Sequence, residues 1–361
     1  MTVRVPVRCS DSSYDVVVGS GVRSLLPEVL RDLGVRRVAV VSARPPDWVP
    51  GTGVETLSIP FRDGERDKNL GTVEALCAEF ARFGLTRSDA VVSCGGGTTT
   101  DVAGLAAALY HRGVPVVHLP TTLLAQVDAS VGGKTAVNLP SGKNLIGAYW
   151  QPAAVLCDTD YLSTLPPREL RNGYGEIARC HFIGAPDLRG LPLEQQIVAS
   201  VTLKAGIVAA DERDTGVRHR LNFGHTLGHA LELTSDFAMR HGEAVAVGTV
   251  FAGLLAGALG RIGPARVSEH REVVESYGLP VALPAGVSVA ELISVMKRDK
   301  KSVSGLAFTL DGPGGADLIQ DVSEEIVAAT LARMPRSREG ARFHRYEKSI
   351  NTRQSNVSRH L

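Results

Sequence analysis

Hydrophobic and polar positions in the first 150 residues alternate between strand-like and helix-like periods. The short run "RRVAVVSA" (36–43) is rich in valine, which predicts a strand covered on both faces. "NLGTVEALCAEFARFG" has apolar positions at helical spacing and predicts a helix that ends at Gly84. "DAVVSCGGG" predicts a strand and a glycine turn, "DVAGLAAALYHRG" a helix, and "PVVHLPTTLL" another strand. This order predicts the parallel sheet of a nucleotide-binding α/β domain.

The two ends of this pattern differ from its middle. "MTVRVPVRCSDSSYDVVVG" alternates polar and apolar residues and predicts a pair of strands. Beyond Pro152, long apolar helical stretches dominate, such as "EQQIVASVTLKAGIVAADE" and "GEAVAVGTVFAGLLAGALG". We therefore expect a Rossmann-like NAD-binding α/β domain over 1–155, a mostly α-helical metal- and substrate-binding domain over 156–335, and a tail over 336–361. A substrate is expected in the cleft between the two domains.

Composition excludes several classes of protein. The chain has 361 residues, of which 44% are hydrophobic and 21% charged, as in ordinary globular proteins. A net charge of +1 gives no reason to expect nucleic acid or a membrane as partner. The tail carries seven Arg or Lys against two Glu, which is typical of a disordered end. Five scattered cysteines without C-x-x-C, and no apolar run near the roughly 20 residues of a membrane span, favour a reducing cytoplasm.

Three consecutive glycines follow the predicted strand in "DAVVSCGGG", where the sequence reads "CGGGTTTDVAG". Gly95, Gly96 and Gly97 would let backbone N–H groups approach a pyrophosphate at the start of a helix. The alternative is a tight turn that needs positive φ. The spacing is not G-x-G-x-x-G, and Ser42 stands at the strand end where a ribose-binding carboxylate is usual. This motif alone therefore leaves dinucleotide binding open.

A long segment rich in glycine and lysine comes next, "PTTLLAQVDASVGGKTAVNLPSGKNLIGAYWQP". It contains Asp128, Lys134, Asn138, Lys143 and Asn144 among small residues. Lysines beside glycines suit a phosphorylated or carboxylated small molecule, because the backbone can approach it closely and the ammonium supplies charge. The alternative is a surface loop with solvated lysines.

Histidines lie at helical spacing in "LNFGHTLGHALE". His225 and His229 share one helix face, and His241 follows in "RHGEA". A catalytic zinc needs three protein ligands and an open position. From spacing alone, a metal centre and a buried helix that carries histidines are equally favoured. A carboxylate ligand could come from Glu176, Glu232 or Glu243.

Five ordered blocks resemble the sugar phosphate cyclase family, typified by dehydroquinate synthase. They are "GGGTTTDVAG", "RGVPVVHLPTTLLAQVDASVGGKTAVNLPSGKNLIGAYWQP", "YGEIAR", "KAGIVAADERDTGVRHRLNFGHTLGHALE" and "HGEAV", within residues 3–330. The resemblance implies a homodimeric, NAD-dependent lyase with one divalent metal, zinc or cobalt. Such an enzyme turns a heptulosonate 7-phosphate into a carbocycle by alcohol oxidation, β-elimination of phosphate, re-reduction and intramolecular aldol closure.

The resemblance also implies roles for individual residues. The metal ligands would be Glu176, His225 and His241. Groups that hold the substrate phosphate would be Lys134, Asn144, Asn222, His229 and Lys300 or Lys301, with Arg112 from a neighbouring subunit. The substrate carboxylate would be bound by Lys204 and Arg218, and a ring hydroxyl by Asp128. The NAD site would be lined by Glu65, Lys68, Gly96, Gly97, Asp101, Thr121 and Thr122, and Lys143 would border both cofactor and substrate.

Departures from the family pattern indicate a subfamily. Arg179 replaces the usual lysine three residues after the metal-binding glutamate, Thr98–Thr100 fill the glycine-rich turn, and Asp214 replaces a glutamate. The nearest likeness is to aminodehydroquinate synthases, carried by "SCGGGTTTDV", "GEIARCHFIGAPDLRG" and "LCDTDYL". We expect Arg179 to reshape the hydroxyl pocket so that an amino group is accepted, because its planar fork differs from lysine in reach and donor geometry.

Three other functions stay in competition. An ordinary dehydroquinate synthase of the shikimate pathway would prefer the hydroxylated substrate in a phosphate-release assay. A metal-dependent polyol dehydrogenase would accumulate NADH, which a cyclase does not. A paralogue without catalysis is disfavoured, because the residues expected to bind metal and substrate are intact.

Overall fold

Among residues 2–140 and 142–158, which the structure describes, there are nine strands. They are β1 (Val3–Arg8), β2 (Ser13–Gly19), β3 (Arg37–Ser42), β4 (Glu55–Pro60), β5 (Ala90–Gly95), β6 (Val116–Pro120), β7 (Lys134–Leu139), β8 (Gly142–Tyr149) and β9 (Ala154–Asp158). Seven form one sheet in the order β1-β2-β9-β6-β5-β3-β4, and β7 and β8 form a separate antiparallel hairpin. Of the strand pairs described in the large sheet, β1 with β2 is antiparallel and the others are parallel. The predicted parallel sheet and the predicted N-terminal strand pair are both confirmed.

Up to Ala210, the described part of the chain contributes five α-helices beside this sheet. They are α1 (Leu26–Asp32), α2 (Leu70–Phe83), α3 (Gly97–Leu109), α4 (Pro167–Phe182) and α5 (Leu193–Ala210). The Asn69 side chain accepts a hydrogen bond from the Thr72 N–H and caps the start of α2. Gly84 ends this helix with φ +74°, as the sequence predicts.

The valine-rich run of β3 explains why the sheet is covered on both faces. Ala39 and Val41 belong to one buried cluster, with Phe80 of α2, and Val38 and Val40 to a second cluster, with Leu30 of α1. Side chains alternate across a strand, so a continuous apolar run needs a packing partner on each side. Full burial of each valine in this run contributes about 1.5–3 kcal/mol.

The second part of the chain is mostly helical. Its helices are α6 (His225–Thr234), α7 (His241–Ala258), α8 (Pro264–Ser276), α9 (Val289–Met296) and α10 (Glu324–Arg333), and its strands β10 (Leu306–Leu310) and β11 (Asp317–Val322) pair antiparallel. By length and composition α7 could cross a membrane, but 78% of it is buried inside the fold, as in a core helix. A Cβ at Gly248 would lie 1.9 Å from the Gly224 carbonyl oxygen, so α7 and the start of α6 pack at backbone contact.

The computed structural model describes residues 2–140, 142–297 and 305–337. The chain divides into two compact units, Met1–Leu221 and a second that starts at Asn222. This division falls later than residue 155, because α4 and α5 belong to the first unit. The assignment of metal and substrate binding to 156–335 stays a prediction. Lys300, Lys301 and nearly all of the basic tail lie outside the described residues.

Candidate functional site

The glycine turn lies at the carboxyl end of β5, where α3 begins. A Cβ at Gly95 would lie 2.2 Å from Thr99 Oγ1, and one at Gly96 would lie 2.8 Å from Asp63 Oδ2. The Gly96 N–H donates to that Asp63 oxygen over 3.2 Å. Glycine is therefore required for close approach, and the N–H group already faces an anionic acceptor. Sequence reasoning missed Asp63, although it stands two residues before Glu65.

Thr121 and Thr122 follow the neighbouring strand β6 at the same edge of the sheet. The Thr121 N–H donates to the Gly95 carbonyl over 2.8 Å, which joins the two strand ends. Arg44, just beyond β3, donates from Nε to Thr121 Oγ1 over 2.9 Å. Arg44 was also missed, because no local pattern links it to a residue 77 positions later.

Two ion pairs join the residues expected around the cofactor. Lys68 Nζ lies 2.5 Å from Asp101 Oδ2, and only 5% of the Lys68 side chain is exposed. Burial raises the pKa of Asp101, although Lys68 opposes this. Lys143 Nζ lies 3.2 Å from Glu65 Oε1. Against the effect of burial, Lys143 and Lys68 hold the pKa of Glu65 below its usual value.

The β7–β8 hairpin is bonded to the same region. Asn138 donates from its backbone to the Lys68 carbonyl over 2.8 Å and from Nδ2 to Glu65 Oε2 over 2.7 Å. The Asn144 N–H donates to Asn138 Oδ1 over 2.9 Å, and Asn144 has φ +54°. Within the glycine- and lysine-rich segment, Lys134–Leu139 and Gly142–Tyr149 are therefore the strands of an ordered hairpin.

Three buried charged side chains, Lys204, Arg179 and Glu176, surround Asp128. Lys204 Nζ donates to Asp128 Oδ1 over 2.8 Å and to its carbonyl oxygen over 2.6 Å. Arg179 Nη2 donates to the same Oδ1 over 3.2 Å, and Arg179 Nε lies 2.7 Å from Glu176 Oε2. Arg179 Nη1 also donates to the Leu221 carbonyl. Burial lowers the pKa of Lys204, and Lys204 and Arg179 lower that of Asp128 although burial opposes them.

The remaining cations expected to bind substrate in the first unit have protein acceptors. Lys134 Nζ lies 2.6 Å from Asp214 Oδ2, so the aspartate that departs from the family pattern holds this ammonium. Arg218 is 1% exposed and donates to the carbonyls of Gly132 and Glu212, over 2.7 and 2.5 Å. Its Nε is buried without an acceptor among the described residues. That orphaned donor is a feature that a carboxylate could satisfy.

The three histidines converge in the second unit. The His225 ring centroid lies 5.3 Å from that of His241 and 5.4 Å from that of His229. Gly224, just before α6, packs on Gly248 within α7, and His241 is the first residue of α7. Helix α6 therefore packs its apolar side chains in the core and also carries two of the three histidines that lie close together.

Hydrogen bonds fix the tautomers of two of these rings. His225 Nδ1 lies 3.1 Å from the Phe223 carbonyl, and His241 Nδ1 lies 3.1 Å from Glu232 Oε2. Both partners are acceptors, so each Nδ1 carries the proton and the lone pair for a cation is on Nε2. Carboxylate and carbonyl groups commonly orient metal-bound histidines in this way.

Glu243 and Glu232 have different hydrogen-bond partners. Its carboxylate accepts from the Arg240 N–H over 3.0 Å and closes the first turn of α7. His229, Glu232 and His241 also have potential ligand atoms within 4.8 Å of one another. Within the second unit, the hydrogen bonds favour Glu232 as the group that orients His241 and Glu243 as a helix cap.

Two other expected site residues lie at the ends of elements. Arg112 is exposed in the turn Tyr110–Arg112 and has φ +62°, next to His111 with φ +51°. Consecutive left-handed residues without glycine are strained, which is common at functional sites. Asn222 is half-buried at the start of the second unit. The role of Arg112 at a neighbouring subunit stays a prediction.

Two family patterns match this chain. The pattern described as 3-dehydroquinate synthase N-terminal matches residues 58–172, and that described as 3-dehydroquinate synthase C-terminal matches 174–302. The chain belongs to the 3-dehydroquinate synthase family. The membership expected from the five sequence blocks is confirmed, and with it the combination of a parallel-sheet domain and a helical domain.

Individual proteins of the dehydroquinate synthase family are similar to this chain in sequence, and a related enzyme of known structure is similar to it in fold. A protein of Amycolatopsis mediterranei, provisionally named an aminodehydroquinate synthase, is 72% identical over 336 residues, which cover 93% of this chain and 96% of that protein. A 3-dehydroquinate synthase of Pseudarthrobacter chlorophenolicus is 41% identical over 344 residues, with 88% and 94% covered. The structure of 2-deoxy-scyllo-inosose synthase complexed with carbaglucose-6-phosphate, NAD+ and Co2+ has a TM-score of 0.83 at 27% identity, with 92% and 100% covered.

Proposed function

We propose that the chain is an aminodehydroquinate synthase. It would convert an amino-heptulosonate 7-phosphate into 5-amino-5-deoxy-3-dehydroquinate and inorganic phosphate. The steps are oxidation of a secondary alcohol, β-elimination of phosphate, re-reduction of the ketone and intramolecular aldol closure. The hydride that is removed is returned, so the reaction has no net oxidation. Support comes from family membership and from the 72% identical relative.

NAD and one divalent metal, zinc or cobalt, are the proposed cofactors. Bound NAD accepts the hydride, and the metal stabilises the negative charge that develops on the alcohol oxygen. Glu176, His225 and His241 are the proposed metal ligands. The donor chemistry fits, since two imidazoles and a carboxylate are a ligand set that zinc takes, and the Nδ1 atom of each imidazole lies next to an acceptor. The glycine turn with Lys68 and Asp101 is proposed to hold the dinucleotide.

Basic and polar groups are proposed to bind the two anionic ends of the substrate. Lys134, Asn144, Asn222 and His229 would hold the phosphate and stabilise its charge as it leaves. Lys204 and Arg218 would bind the carboxylate. The Arg218 Nε donor without an acceptor among described residues supports this role. Arg112 would complete the phosphate site in a homodimer, and a reducing cytoplasm suits the five free cysteines.

The structural observation that supports an aminated substrate is the set of partners that binds the Arg179 side chain. Its guanidinium is held by Glu176, Asp128 and the Leu221 carbonyl. A lysine at this position would have a flexible ammonium near the substrate, which would repel a substrate ammonium. Arg179 carries the same positive charge, but the Glu176 and Asp128 carboxylates that hold it compensate that charge. Asp128 receives both of its cations on Oδ1, so Oδ2 is the oxygen proposed to accept from the substrate amino group.

A substrate competition tests this function. The full chain with NAD and zinc is offered the aminated and the hydroxylated heptulosonate 7-phosphates, and phosphate release is followed with absorbance at the NADH wavelength. We expect a higher kcat/KM for the aminated substrate and no accumulation of NADH. A preference for the hydroxylated substrate would make the chain an ordinary dehydroquinate synthase. Steady accumulation of NADH would make it a dehydrogenase.

A further inference from the structure

The side chain of Tyr14 reaches from the N-terminal strand pair into the segment that precedes Lys134. Tyr14 lies on β2 and is 4% exposed. Its hydroxyl oxygen accepts a hydrogen bond from the Gly132 N–H over 2.9 Å. Burial raises the pKa of Tyr14, so the phenol stays protonated and its oxygen stays a neutral acceptor. A contact between residues 118 positions apart therefore holds the backbone two residues before a lysine that is proposed to bind substrate.

Gly132 and Gly133 form a turn whose conformation requires glycine. Their φ angles are +94° and +69°. A Cβ at Gly132 would lie 2.7 Å from Arg218 Nη2, and one at Gly133 would lie 2.7 Å from Gln151 Cδ. Any other residue would be strained at these φ angles and would also collide with its neighbour. The turn therefore packs directly on Arg218, and the hydrogen bonds of its own backbone determine where it lies.

The backbone of Gly132 links Tyr14 to Arg218. Its N–H donates to the Tyr14 hydroxyl, and its carbonyl oxygen accepts from Arg218 Nη2 over 2.7 Å. Arg218 Nη1 donates to the Glu212 carbonyl over 2.5 Å, so both terminal nitrogens are bound to backbone oxygens. Because the guanidinium is planar, these two bonds also fix the direction of Nε. Nε is the buried donor that has no acceptor among the described residues.

Loss of the Tyr14 hydroxyl would act on Arg218 through Gly132. Phenylalanine at this position would leave the Gly132 N–H buried without its acceptor, which favours movement of the turn. That movement would displace the carbonyl that binds Arg218 Nη2. We infer that Tyr14 is a positioning residue of the substrate-carboxylate site, because it fixes the turn that fixes the Arg218 guanidinium. This inference rests on the proposed role of Arg218 in binding the substrate carboxylate.

A double-mutant cycle on the full chain with NAD and zinc tests this link. Tyr14→Phe should raise KM for the aminated heptulosonate 7-phosphate about tenfold, equivalent to one impaired hydrogen bond. It should change kcat less than about twofold, because the substrate carboxylate keeps its charge throughout the reaction. In the background of Arg218→Gln, Tyr14→Phe should change KM less than about twofold, since the group through which it acts is gone. Full additivity of the two substitutions would overturn the inference.

Tyr161→Phe is the matched control. Tyr161 is 3% exposed, and its hydroxyl is also bonded to the backbone, donating to the Trp48 carbonyl over 2.5 Å. The change removes the same group from an equally buried tyrosine, and KM for the substrate at saturating NAD should stay unchanged. The same rise of KM in both variants would show a general effect of losing a buried hydroxyl and would refute the role of Tyr14.

The Arg218 Nε–H resonance gives a readout that needs no turnover. In the full chain with isotope-labelled arginine, its NMR signal is identified by its loss in Arg218→Lys. Exchange with water should be slow in the wild type, about tenfold or more faster in Tyr14→Phe, and unchanged in Tyr161→Phe. Unchanged exchange in Tyr14→Phe would overturn the inference. If exchange responds as expected but neither heptulosonate phosphate is turned over, the proposed function fails and the link from Tyr14 to Arg218 stands.

Discussion

Arg179 lies one helical turn after Glu176 on α4, and its Nε is 2.7 Å from Glu176 Oε2. Both side chains are almost fully buried, at 2% and 1% exposure. The same guanidinium reaches Asp128, so one cation links a proposed metal ligand to the proposed substrate-binding carboxylate. Breaking such a buried arrangement is costly, because the remaining charges lose their compensation.

Arg179→Lys should therefore change substrate preference. A lysine cannot bind Glu176, Asp128 and the Leu221 carbonyl in one plane, so a mobile ammonium would face the substrate. We expect the ratio of kcat/KM for the hydroxylated over the aminated substrate to rise about tenfold, equivalent to one altered hydrogen bond. Phosphate release from both substrates measures it. Arg171→Lys, at an exposed site on the same helix, is the control, and an unchanged ratio in Arg179→Lys would refute the role.

The histidine variants should separate the two possible ligand sets. His225→Ala and His241→Ala should lose zinc during dialysis under conditions where the wild type retains it. His229→Ala should keep its zinc and raise KM, because this residue is proposed to bind the substrate phosphate. Metal per chain is measured by mass spectrometry. Loss of zinc from His229→Ala together with retention in His225→Ala would favour His229, Glu232 and His241 instead.

Glu232 and Glu243 should respond differently to substitution. Glu232→Gln should lower zinc affinity about 10- to 100-fold, the usual effect of losing a carboxylate that orients a metal-bound histidine. Glu243→Ala should leave zinc affinity nearly unchanged and destabilise the fold by about 0.5–2 kcal/mol, as other lost helix caps do. Chelator competition and denaturant unfolding measure the two effects. If Glu243→Ala loses zinc affinity and Glu232→Gln loses only stability, the assignment of Glu232 to the metal centre and of Glu243 to the helix cap is wrong.

The Lys68–Asp101 ion pair should contribute to stability. Asp101→Asn leaves a buried ammonium with a weaker partner, which should lower the free energy of unfolding by about 1–3 kcal/mol. It should also weaken dinucleotide binding. Glu55→Gln breaks the ion pair with Arg37, where the Glu55 side chain is 60% exposed, and should leave stability unchanged. Urea unfolding measures the free energy of unfolding of both variants. If the two variants lose the same amount, burial does not make the Lys68–Asp101 ion pair more stabilising than the exposed one.

His118 should make stability depend on pH. It is buried beside Ser93, with Nδ1 2.7 Å from the serine hydroxyl, and burial lowers its pKa from 6.5 to about 4. Between these values the unfolded chain binds the proton and the folded chain does not, so stability falls as pH drops from 6.5 to 4. The loss from this residue is up to about 3 kcal/mol. His118→Asn should flatten the unfolding free energy in that window; the same slope in both proteins would exclude His118 as its cause.

Local sequence determined the elements and much of the candidate chemistry. The run Val38–Val41, the glycine turn after β5 and the Gly84 helix end follow from side-chain alternation, backbone conformation and helical spacing. The Arg179–Glu176 pair spans one helical turn, so the sequence already places these residues on neighbouring faces. Family blocks added the expected roles, which spacing alone left open.

Tertiary structure decided which distant groups meet. Asp63 faces Gly96 and Arg44 reaches Thr121 because parallel strands end at one edge of the sheet, and no local pattern encodes those contacts. Glu232 was one of three candidate carboxylates in the sequence, and the packing of α6 on α7 places its Oε2 within hydrogen-bond distance of His241 Nδ1. Local periodicity specifies which face of an element a side chain occupies, whereas its partner depends on how separate elements pack.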